Sequence, residues 1–125
     1  ATEDTDVIIR RNPANEKALL EALTEVNACW IADEVDPETG MERQCPVTEA
    51  YIRNTHLMML ITDAGFLDIF DYIPGLPGES VEALFESSEL VRGIRFPSLH
   101  WIRRMKEASE RAKDHMDAQN LPPQE

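Results

Sequence analysis

Only two cysteines, Cys29 and Cys45, occur in the 125 residues, which excludes a disulfide framework. No His-x-x-x-His or Cys-x-x-Cys spacing links them to His56, His100 or His115, so the sequence offers no zinc site. No apolar run approaches the ~18 residues needed to cross a bilayer. The acidic start, the free thiols and the lack of a leader pattern predict a cytoplasmic protein without membrane contact. Basic side chains are scarce: 12 Lys and Arg face 24 Asp and Glu, a net charge of −12. A field of that sign disfavours sequence-independent binding to nucleic acid, which depends on neutralising phosphates. Internal repeats and low-complexity tracts are absent as well.

What is present is a globular balance, with 42% hydrophobic and 29% charged residues. A chain of this length closes one core without staples. It reads as one domain over 1–125, with a disordered tail at 121–125. The charge is uneven. Residues 1–91 hold five basic and 19 acidic side chains, whereas residues 92–125 hold seven basic and five acidic. Either the surface is simply solvated, or an acidic metal-holding face meets a basic segment.

A β-branched run predicts a strand over 6–11. Asn12 and Pro13 supply an N-cap and a first helical residue, and the helix runs to about 27 with Leu19, Ala22, Leu23 and Val26 as its apolar stripe. Residues 33–47 read as a loop with its tip at 37–40, followed by a helical turn over 48–53. The apolar run 57–62 reads as a strand buried on both faces. A turn at Asp63-Ala64-Gly65 joins it to a second strand over 66–73. Ser80 caps a helix to about 90, a short strand covers 92–96, and a long helix follows Ser98. Its stripe is Leu99, Ile102, Met105, Ala108, Ala112 and Met116. The order predicts an α+β domain, a mixed sheet with packed helices. One core is expected to contain Ile8, Leu19, Leu23, Leu60, Ile69, Leu99 and Ile102.

The carboxylates carry the chemical signal. Asp4 and Asp6 are two apart on a strand, so both point to one side of it. Two such groups repel unless a cation lies between them. Mg²⁺ suits the pair, since it takes one or two carboxylates and completes its shell with water and phosphate oxygens. Asp68 sits between Leu67 and Ile69, and a carboxylate inside an apolar strand is costly unless paired, hydrogen-bonded or metal-bound. Asp71 has the opposite parity and Asp63 belongs to a turn. Cys29 beside Trp30 reads as a core thiol. Trp101, in the first turn of a packed helix, reads as core or rim rather than as a base-stacking platform.

The start Thr2-Glu3-Asp4-Thr5-Asp6-Val7-Ile8-Ile9 resembles the Thr-x-Asp-x-Asp strand of the nucleotidyltransferase superfamily, the DNA polymerase β-like fold. More narrowly it is similar to small bacterial nucleotidyltransferase-like proteins that include AbiEii-type toxins. Residues 12–23 resemble the following helix. Gly65-Phe66-Leu67-Asp68-Ile69 with Ile73-Pro74-Gly75 resembles the hairpin bearing the third acid. Residues 94–117 resemble the closing strand and helix. The resemblance implies that Asp4, Asp6 and Asp68 are catalytic and bind Mg²⁺ or Mn²⁺. It implies Lys106 and Arg111 as contacts to a nucleoside triphosphate, with Arg111, Lys113 and Asp114 matching the family's Arg-x-Lys-Asp element. An acceptor, such as a nucleic-acid end, would receive the nucleotide.

The family's phosphate-holding Gly-Gly or Gly-Ser turn lies upstream of the acidic strand. None of Gly40, Gly65, Gly75, Gly78 and Gly93 stands there. The expectation is therefore a fold lacking the first helix and its turn, weakly active or inactive. A homodimer or a partner protein would cover the gap. Two alternatives stand beside it: an active Mg²⁺-dependent nucleotidyltransferase, and an unrelated acidic protein-interaction module.

Overall fold

Asn12 decides where the first helix begins. Its side chain accepts the Asn15 N–H at 2.8 Å, and Pro13 takes the first helical position. Thr48 and Ser80 do the same for the two short helices, accepting from Tyr51 and Ala83. The computed structural model describes the backbone of residues 4–120, and the side chains of Asp4 and of residues 114–120 are outside it. The expected tail at 121–125, the Asp4 carboxylate and the Asp114 side chain therefore lie outside the described residues. Among the described residues the order is β1 (Asp4–Ile8), α1 (Pro13–Glu25), β2 (Cys29–Val35), β3 (Glu42–Pro46), α2 (Glu49–Asn54), β4 (Leu57–Thr62), β5 (Gly65–Phe70), α3 (Val81–Glu86), β6 (Glu89–Val91), β7 (Ile94–Phe96) and α4 (Leu99–Asn120). The fold is α+β, and the chain divides into two compact units at Asp71/Tyr72.

The first unit is a five-stranded mixed sheet in the order β1-β5-β4-β2-β3. Only β1 and β5 run parallel; the other neighbours are antiparallel. One face of the sheet buries Met58, Leu60 and Ile69 against Leu23 of α1 and Ile52 of α2. Leu19, Leu20, Ile9 and Leu67 pack around that cluster. Trp30 stacks on Tyr51 within it, ring centroids 5.2 Å apart, and burial pushes the Tyr51 phenol up. Ile9 rather than the expected Ile8 reaches the core, because Ile8 has the parity of Asp6.

Three local readings change. Residues 29–46 form a hairpin rather than a loop, with its turn at Asp36–Gly40. Gly40 closes that turn at φ +71°. Strand β4 is buried on one face only, since Met59 is 63% exposed. Helix α3 stops at Glu86, and Leu90 instead enters the β6–β7 hairpin.

Among the described residues of the second unit the buried side chains are Ile73, Leu84, Trp101 and Ala108. The α4 stripe is rotated from the expected one: Trp101 is buried, whereas Leu99 is 66% and Ile102 43% exposed. Gly75, at φ +77°, lies so close to α4 that a Cβ there would be 2.8 Å from the Ala108 Cβ. Arg104 donates to Glu79 at 2.6 Å and lies 5.0 Å over the Trp101 ring. That hydrogen bond and charge hold the Glu79 carboxyl below its ordinary range.

Candidate functional site

Strand register brings two of the expected acids side by side. In the parallel β1–β5 pair Asp6 stands opposite Asp68, and Asp4 opposite Phe66. Opposed residues of neighbouring strands share a face. Leu67 and Ile69 take the core face, so Asp68 is turned to the outer face with Phe66 and Phe70. Asp6 is exposed and Asp68 half-buried. Across β4 the same face carries Met59, opposite Asp68, and Ile61, opposite Phe66. Ile31 of β2 continues it. These side chains line a 350 Å³ groove beside Asp68. Within the five strands no Lys or Arg belongs to this face: the sole basic strand residue is Arg43, next to Gln44, which pairs with outward Ile31.

The donor set is two oxygen ligands on rigid strands, a hard-cation pattern rather than a zinc or thiolate one. Among the described residues no group of three or more His, Cys, Asp or Glu side chains is placed to hold a metal; the Asp4 carboxylate lies outside them. Comparison with family models, curated proteins and solved structures finds no match to this chain. The chemistry of the face therefore rests on its own geometry. Lys106 and Arg111, the expected phosphate contacts, are exposed on α4 of the second unit. Cys29 and Cys45 are free, half-buried and on opposite faces of the hairpin, since Cys29 pairs with Pro46 and Cys45 with Trp30.

Asp71 anchors a second cluster, on the core side of the sheet. Its Oδ2 accepts from Arg11 Nε at 3.0 Å and lies 2.7 Å from His56 Nδ1. The Arg11 guanidinium also donates to the Ile52 and Thr55 carbonyls, at the C-terminal end of α2. A cation suits that end of a helix. The cluster thus ties the loop after β1, the end of β5 and the end of α2 together. The sequence signal was there, though faint: an Arg directly after an apolar strand, and an acid with the parity opposite to Asp68.

Proposed function

We propose that the chain is a nucleotidyltransferase-like domain that holds Mg²⁺ or Mn²⁺ between Asp6 and Asp68 and turns over nucleoside triphosphate weakly or not at all. The observation that carries the reading is the register of Asp6 against Asp68. Neighbouring strands lie about 4.8 Å apart, and two carboxylates at that spacing repel unless a proton or cation lies between them. Mg²⁺ accepts one or two carboxylates, so the pair suits it; the reading assigns Asp4, two residues before Asp6, as a third ligand. A cation held there would neutralise phosphate oxygens and lower the pKa of an acceptor hydroxyl. Asp6 and Asp68 fix its position, because strands hold side chains more precisely than loops.

Weak turnover follows from the rest of the face. Phosphoryl-type transfer depends on positioned donors and positive charge around the phosphates. The outer face offers acids and apolar groups, and its strands place no Lys or Arg there. The apolar groove beside Asp68 favours a second reading, in which this face binds a partner protein.

Thermal melts of the wild type, Asp6→Asn and Asp68→Asn, with Mn²⁺, with ATP and with both, separate the readings. Mn²⁺ should stabilise the wild type by about 2.7 kcal/mol at a hundredfold excess over Kd, seen as a higher Tm, and should stabilise neither variant. ATP should add nothing further. A Mn²⁺-dependent ATP increment points to an active enzyme. No metal effect sinks both cation readings and leaves the protein-interaction module.

A further inference from the structure

The second unit exposes an apolar segment interleaved with cations. Leu90, Val91, Ile94 and Phe96 of the β6–β7 hairpin are all exposed, as are Leu99 and Ile102 at the start of α4. Surface hydrophobics scattered singly need no explanation, but six within residues 90–102 do. Arg92, Arg95, Arg103 and Lys106 are exposed among or just beyond them. Between Arg92 and Lys113 seven Lys and Arg face only Glu107 and Glu110. The outer face of the first unit has the complementary character. Ile31, Met59 and Phe66 are exposed there, and Asp6 and Asp68 share it.

We propose that the chain pairs with a second copy of itself, the basic apolar segment 90–106 of one copy seated on the acidic outer face of β1, β5 and β4 of the other. Apolar area meets apolar area, and the arginine rim meets the carboxylates. Either surface packed on its own counterpart would oppose like charges, which is disfavoured. A reciprocal exchange makes two equal contacts and closes as a dimer. The inference rests on exposure and charge and does not need the proposed cation, which would compete with the arginines for Asp6 and Asp68; the test is therefore made in EDTA.

Sedimentation equilibrium of the full chain tests it. The expected mass is twice the 14.2 kDa of one chain, falling toward the monomer as NaCl screens the contact. Arg103→Glu/Lys106→Glu lowers the charge of segment 90–106 from +5 to +1 and sets two acids against the acidic face, and Asp6→Lys/Met59→Lys sets two lysines against the basic segment. All four positions are exposed, and circular dichroism checks that each variant folds. Each alone should sediment as a monomer, and an equimolar mixture should restore the dimer. Should either double variant fail to fold, the single substitutions Lys106→Glu and Asp6→Lys serve in the same mixing design. A wild-type monomer overturns the proposal; pelleting of that monomer with phosphatidylserine vesicles would assign the segment to an anionic membrane surface. A dimer that survives both substitutions, or fails to return on mixing, overturns it as well.

Discussion

Asp6 in β1 and Asp71 just after β5 are both carboxylates of neighbouring strands in one sheet, yet their surroundings assign them opposite work. Asp71 is only 11% exposed and is satisfied by Arg11 and by His56, while the carbonyls at the end of α2 hold the Arg11 guanidinium in place. Asp6 is exposed, next to another acid. Removing the charge of Asp71 therefore costs stability: Asp71→Asn keeps the shape but weakens two charge-assisted bonds and leaves Arg11 less well paired. The expected loss is roughly 1–3 kcal/mol, read as a lower urea midpoint at unchanged slope. Asp6→Asn should go the other way without metal, since it relieves the repulsion from Asp68. If Asp71→Asn melts with the wild type, the cluster is a solvated ion pair that does not tie the elements together.

Elements that announce themselves locally were legible. Asn12-Pro13, Thr48 and Ser80 each bring a side-chain acceptor to a helix start, a signal contained within four residues. The run 57–62 reads as a strand because nothing polar interrupts it. The β2–β3 hairpin did not, because its strands lie at or near a sheet edge. Glu34, Glu42 and Arg43 meet water there, so a strand looks like a loop, and Pro46 at the edge deepens the disguise. In α4 the alternative stripes share Met105 and Ala108, and Trp101 settles the rotation by going inside at the expense of Leu99 and Ile102. The pairing of β1 with β5 is a long-range fact that no local pattern encodes; strand parity gives each acid a face, never a neighbour. The α4 contact also sets a prediction. Gly40 and Gly75 both have positive φ, but an added Cβ meets nothing at Gly40 and Ala108 at 2.8 Å at Gly75. Gly40→Ala should cost about 1–2 kcal/mol from the left-handed backbone alone. Gly75→Ala should cost more, and Ala108→Gly should recover part of the excess in a double-mutant cycle. Equal losses at the two glycines would mean that the loop moves off α4 freely.

At the scale of the whole molecule, charge acts twice and with opposite signs. Folding gathers the 13 acidic and five basic residues of 5–71 into one compact unit, and that self-repulsion opposes the compact state. Salt shortens the reach of these forces to about 8 Å at physiological ionic strength, so a dilute, monomeric sample should melt higher in NaCl than without it. Association responds the other way. The contact between segment 90–106 and the acidic face draws opposite charges together, so salt weakens it. Because a partner that binds only the folded state adds stability by mass action, concentrated protein should gain Tm at low salt and lose that gain as NaCl rises. The salt increment of Tm should therefore shrink as protein concentration rises, and this is measured with melts at two protein concentrations and two NaCl concentrations. In Arg103→Glu/Lys106→Glu the increment should be positive at both protein concentrations, because only the self-repulsion remains. A wild-type increment independent of concentration would show that the net charge acts within each chain alone, and that the two surfaces do not meet at these concentrations.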